Sequence, residues 1–200
     1  PAASSSLRER LSSLPWALPY LIFMIIGIGF SKKLADRFGK RDVFGAALFL
    51  STLFMLGFYI YPPDAIGLVF GSQILHGFFY GITIPLLWAM IADVADYSEW
   101  KNSRRATAII FSAMLCGLKL GLSIGGALVA GILAHYAYVA GAETQSPQAV
   151  DGIRLAVSVY ASLPFLACVA LLFFYEINKP MESRIERELA QRRAASGAPA

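Results

Sequence analysis

The 200-residue chain is 57% hydrophobic, carries only 15% Asp, Glu, Lys and Arg, and has a formal net charge of +4. Soluble domains carry about a quarter charged residues, so this composition, with a mean hydropathy of +0.60, argues against a water-soluble globule. Its apolar residues come in long runs rather than stripes, the pattern of membrane-spanning helices, and the fold class read from them is an all-α membrane protein.

Five spans are predicted. The first covers 14–33, with Pro15 and Pro19 near its start, where proline is best tolerated, and Lys32 and Lys33 at its exit. A charged loop, LADRFGKRD, runs from Leu34 to Asp42. The second span, 43–61, is uncharged and long enough to cross a bilayer; Tyr59, Tyr61, Pro62 and Pro63 close it with aromatic anchors and a turn. The third, 65–92, exceeds the hydrocarbon thickness and is expected to tilt or bend, with Pro85 as the kink. A charged hinge, DVADYSEWKNSRR, joins it to the fourth, 106–134, which ends in His135, Tyr136 and Tyr138. A polar loop, ETQSPQAVDGIR, leads to the fifth, 155–175. The bundle thus occupies 1–178, and 179–200 reads as an amphipathic helix followed by a disordered SGAPA tail.

Five crossings place the two ends on opposite sides. Lys32, Lys33, Arg37, Lys40, Arg41, Lys101, Arg104, Arg105, Lys179, Arg184, Arg187, Arg192 and Arg193 fall on one side, and only Arg8, Arg10 and Arg154 on the other. Positive-inside counting puts the charged loops and the C-terminus in the cytoplasm and the N-terminus outside. An odd number of helices starting outside, with no initiator Met, leads us to expect further helices upstream.

Lys119 is the only charged residue between Ala106 and Ala142. It lies roughly 21 Å along the helix from Arg105, past the middle of an apolar layer about 30 Å thick. An ionisable group at that depth is a functional-site candidate. On a helical wheel Ser112, Cys116, Lys119, Ser123 and Gly126 share one face, a candidate cavity wall, and the alternative is a structural ion pair with an acid on a neighbouring helix. Gly117, Gly121 and Gly125 form a GxxxGxxxG run on the other face, read as a packing seam. The third span has a polar face of Gln73, His76, Gly77 and Tyr80, with Trp88 further along. These residues either line a pocket for a hydroxylated ligand, with an aromatic platform for a sugar ring, or bond helix to helix. Asp93, Asp96 and Glu99 oppose the dipole at the end of the third span, so they form either a solvated loop or salt bridges of a moving gate. Cys116 and Cys168 lack a CxxC partner and read as packing residues. Nothing resembles a nucleophile–base pair, a phosphate loop, a metal cluster or a nucleic-acid surface, so an enzymatic reading has no residue to rest on.

The runs WAMIADVADYSEWK and RRATAIIFSAMLCGLKLGLSIGGAL, with LADRFGKR and the ending FLACVALLFFYEI…IERELAQRR, resemble the glycoside–pentoside–hexuronide:cation symporters of the major facilitator superfamily (melibiose permease-like). The resemblance covers nearly the whole chain, as helices eight to twelve of a twelve-helix fold. It implies that Lys119 lies close to the carboxylates of the cation site and the sugar pocket. It makes Asp93, Asp96, Glu99 and Arg105 part of a cytoplasmic gate, and Asp36 and Arg37 part of the loop that braces neighbouring helices during rocking. Lys32 departs from the loop motif, which usually has glycine there. Met114 and Leu115 stand where the melibiose permease has polar side chains, and Ile84 where it has a pocket tryptophan.

The function so implied is sugar:cation symport by alternating access in a bacterial inner membrane. A co-transported Na⁺ or H⁺ is expected, with no other cofactor and no metal site in this chain. The expected partners are the lipid bilayer, an N-terminal helical bundle and a sugar or glycoside. Gate acids and Lys119 alike are expected to find their partners outside this chain. The alternatives are a facilitator for a lipid or another solute, and a non-transporting scaffold or sensor.

Overall fold

A computed structural model describes residues 2–62, 64–104, 106–142 and 144–195, with side chains from Leu18 onward. Helix α1 spans Ala2–Phe38, α2 Lys40–Ile60, α3 Ile66–Asn102 and α4 Thr107–His135. The last crossing is composite. It comprises α5, Pro147–Leu155, a π turn at Ala156–Tyr160, α6, Ala161–Leu171, and a 3₁₀ turn at Leu172–Phe174. Helix α7, Lys179–Ala195, follows. Five stretches are long and apolar enough to cross a membrane: Leu18–Phe38, Lys40–Ile60, Ile66–Asn102, Thr107–His135 and Pro147–Phe174. Among the described residues there is no strand, and the fold is the all-α membrane bundle that the composition implies.

The core lies where α1, α2, α3 and the last crossing meet. Phe44, Ala47, Leu48, Ile82, Leu86 and Met90 are buried there, with Phe78, Phe165 and Leu172 packed against them. Its tightest seam is between α1 and α3. A Cβ on Gly81 would lie 2.2 Å from the Met24 carbonyl oxygen, and one on Gly27 would lie 2.1 Å from that of Phe78. Only glycine permits this approach of two backbones, the small-residue packing typical of membrane helices. The seam expected on α4 is different. Nothing among the described residues lies within 4 Å of a Cβ built on Gly117, Gly121 or Gly125, so no helix described here fills it.

Several predicted boundaries shift. The charged loop 34–42 contracts to Gly39, whose φ of 93° lets the chain leave α1 and enter α2 in one residue. The hinge after 92 is helical as far as Asn102, where Ser103 stops it in the left-handed region at φ 52°. It stays helical because its acids find basic partners on α2 and α7, described below. The polar loop before the fifth span is also partly helical. Ser146 Oγ accepts from Ala149 N at 3.1 Å and Pro147 occupies the first turn, a capped start. The π turn precedes Pro164, which has no N–H to give to the preceding turn. Of the residues predicted as a disordered tail, 196–200 lie outside the described residues.

Candidate functional site

Ten charged or hydrogen-bonding groups converge at the end of the bundle that carries the basic loops. The α3 acids point at α2 and α7, not away from the chain. Lys40, the first residue of α2, donates to both oxygens of Asp93, at 2.7 and 2.9 Å, and also pairs with Glu182 of α7 at 2.8 Å. These three side chains are 24%, 14% and 20% exposed, so the triad is only partly open to solvent. One turn further, Arg193 of α7 pairs with Glu99 at 2.9 Å and reaches Asp96 at 3.8 Å. Trp100 Nε1 donates to Glu188 at 2.6 Å, which also accepts from Arg184 at 2.7 Å. Arg192 in turn donates to the Trp100 carbonyl at 3.0 Å.

Helix α7 can lie here because its apolar residues repeat at i, i+4. Ile185 and Leu189 are buried while their flanking charges stay outside. Lys179, at its start, donates to the backbone carbonyls of Asp36 and Arg37 at the end of α1. Tyr175, just before it, donates to the Met90 carbonyl at 3.3 Å. Burial, with Asp93 and Glu182 nearby, pushes the Tyr175 phenol well above its ordinary value, so it remains a donor. The Glu188 carboxyl is held below its ordinary value, by Arg184 first and by Trp100 second.

This arrangement corrects the expectation that the gate acids lack partners in this chain: Asp93, Asp96 and Glu99 all have them. Arg105 lies outside the described residues. The Asp36 and Arg37 side chains are exposed, and it is their backbone that α7 grips.

In mid-bundle the predicted polar residues separate into two groups. His76 is buried between α1 and α2. Its Nδ1 lies 3.0 Å from the Ser51 carbonyl and 2.9 Å from the Ser51 hydroxyl, and its ring stacks between Tyr20 and Tyr80 at 6.3 and 5.9 Å. These contacts tie helices together, and Gln73 beside His76 is half-buried. Tyr80 and Trp88 do line one recess of about 390 Å³, with Phe44, Leu48, Thr83, Ile84 and Phe165. Its wall is mainly apolar.

Helix α4 stands apart. Trp88 stacks on Phe111 at 6.4 Å near one end, and Tyr136 packs under Gly152 at the other. Between those contacts Ser112, Cys116, Lys119 and Ser123 are exposed. Ser123 Oγ donates to the Lys119 carbonyl at 3.0 Å, a bond within the helix, and the Lys119 ammonium meets no acid among the described residues. The structure thus does not bring Lys119 together with Gln73, His76 or Tyr80. Sequence reasoning missed Lys40 and Arg193 as the partners of the α3 acids, and Glu182 and Glu188 as the α7 acids that respectively share Lys40 with Asp93 and accept from Trp100. The available signal was the dense mixture of acids and bases in 179–195, complementary to the acidic helix end.

Comparisons with known families and proteins find relatives of this chain. A family model described as MFS/sugar transport protein matches residues 10–179. "Putative glycoside/cation symporter YagG" of Escherichia coli (strain K12) is 33% identical over 167 residues, 84% of this chain and 36% of the relative. "Inner membrane symporter YicJ" of the same strain is 28% identical over 173 residues, 86% of this chain and 38% of the relative. The "Isoprimeverose transporter" of Lactiplantibacillus pentosus is 33% identical over 174 residues, 82% and 34% respectively. The chain therefore spans little more than a third of the length of these relatives. With its spans, its charged helix end and its match over most of its length, the chain belongs to the MFS/sugar transport protein family of membrane transporters.

Proposed function

We propose that this chain provides the C-terminal helices of a secondary transporter that couples movement of a sugar or glycoside to Na⁺ or H⁺ by alternating access. The observation that carries the reading is Lys119, exposed near the middle of α4 with no acid among the described residues. A lysine facing hydrocarbon there costs about 3 kcal/mol, so its exposed face calls for carboxylates on a facing helical bundle. A cation bound to those carboxylates competes with the ammonium for them, which links ion occupancy to the approach of the two bundles. The open Gly117, Gly121 and Gly125 stripe lies on the opposite face of α4 and suits close approach by a different helix. In this reading the protein moves the solute unchanged. The named activities of the relatives, glycoside/cation symport and isoprimeverose transport, point to the same solute class, and the name of YicJ to an inner membrane. The basic end of the bundle, with α7, then faces the cytoplasm.

The test is uptake of labelled glycosides into vesicles carrying the full-length protein, with and without an inward Na⁺ or H⁺ gradient. Gradient-stimulated accumulation is the expected result. Transport of lipid alone would assign the apolar recess to a lipid facilitator, and no transport of any solute would favour a scaffold.

A further inference from the structure

We infer that α7 is a releasable strap competing with the facing bundle for the acids at the cytoplasmic end of α3. This rests on the gate reading of Asp96 and Glu99. The two halves of α7 are held differently. Ile185 and Leu189 are buried, which anchors the middle of the helix through apolar contact. Its far end is held by Arg193, 36% exposed, on Glu99 and Asp96, 19% and 42% exposed, and by Arg192 on the Trp100 carbonyl. Half-exposed ion pairs shift an equilibrium by up to about fivefold each and weaken with salt. They are therefore breakable at an energy that another basic side chain can match.

The acids gripped by Arg193 are the ones a gate needs. Asp96 and Glu99 stand three residues apart on one face of α3, and a single guanidinium spans both. While Arg193 holds them, they are not available to basic groups of the facing bundle, and the cytoplasmic side has no lock on α3. Release of the end of α7 withdraws Arg193 from both carboxylates together. The Lys40, Asp93 and Glu182 triad lies deeper and stays formed, so α7 pivots on its first turns rather than leaving. The strap thus favours the state open to the cytoplasm.

The experiment uses full-length protein in proteoliposomes with native cysteines replaced. Spin labels at Asn102→Cys and Ala190→Cys, both exposed, report docking of α7. Ala108→Cys, exposed on the Lys119 face of α4, reports cytoplasmic openness through its reaction with an impermeant maleimide. Arg193→Gln is expected to lengthen and broaden the spin-label distance and to slow maleimide labelling roughly threefold, and Arg193→Lys to restore both. Undocking without a change in labelling overturns the proposal, as does a labelling change with α7 still docked, or no undocking at all. Neither readout requires a solute. Failure of the symport reading would therefore appear in the uptake assay and leave this result interpretable.

Discussion

Replacing Lys40 by methionine keeps the aliphatic stem and removes a cation shared by Asp93 and Glu182. Exposed ion pairs contribute about 0.2–1 kcal/mol, whereas breaking a fully buried one costs about 3–5 kcal/mol. The three side chains retain a seventh to a quarter of their exposure, so the substitution falls between those limits, at about 2–3 kcal/mol. Much of that cost comes from two carboxylates left facing each other without a cation. Adding Asp93→Asn removes one of them and should recover about 1 kcal/mol. The double variant is then more stable than Lys40→Met alone. Reversible unfolding of the full-length protein in mixed micelles, followed by tryptophan fluorescence, gives all four corners of the cycle. Energies that add to within about 0.5 kcal/mol would mean that Lys40 and Asp93 act independently, and the triad would then have no energetic meaning.

Three other predictions follow from the same contacts. Gly81→Val places a Cβ 2.2 Å from the Met24 carbonyl oxygen and should destabilise the α1–α3 seam by about 1–3 kcal/mol; an unchanged unfolding midpoint would refute the seam. Arg154 Nη2 donates to the Tyr59 and Tyr61 carbonyls at 3.0 Å each, a cation at the C-terminal end of α2, so Arg154→Ala should cost about 1–2 kcal/mol in the same assay. For pH, the Glu188 carboxyl is lowered by Arg184 and Trp100. Its contribution to docking α7 is therefore complete above the ordinary glutamate value of about 4.3 and is lost as pH falls through the lowered folded value. The Asn102–Ala190 spin-label distance should hold from neutral pH down to about 4.3 and lengthen below it, with a smaller step in Glu188→Gln; an unchanged step in that variant, or a transition near pH 6, would contradict this origin.

The sequence makes the spans plain because uncharged runs such as 43–61 have no reading other than a buried or membrane-spanning helix. Helix ends were harder to read. The charged stretch after Asp93 looks like a loop by composition, yet helix α3 continues through it because Lys40, 53 residues earlier, and Arg193, 94 residues after Glu99, supply the opposite charge. Pairings at that separation leave no local periodicity. The glycine stripes show the same limit. Gly117, Gly121 and Gly125 announce a seam more loudly than Gly77 and Gly81, but only the latter meet a helix among the described residues. A small-residue stripe shows that a backbone can come close, not which one does. His76 was legible as polar and buried, but its partner, Ser51, sits on another helix, and this makes it a brace between helices.

In the proposed transporter Lys119 is half of an ion-coupling site. The direct measurement is uptake of a transported glycoside by full-length protein bearing Lys119→Ala, with and without a cation gradient, after confirming normal membrane insertion. Gradient stimulation is expected to disappear while the protein still inserts. Undiminished, gradient-driven accumulation by the variant would contradict it.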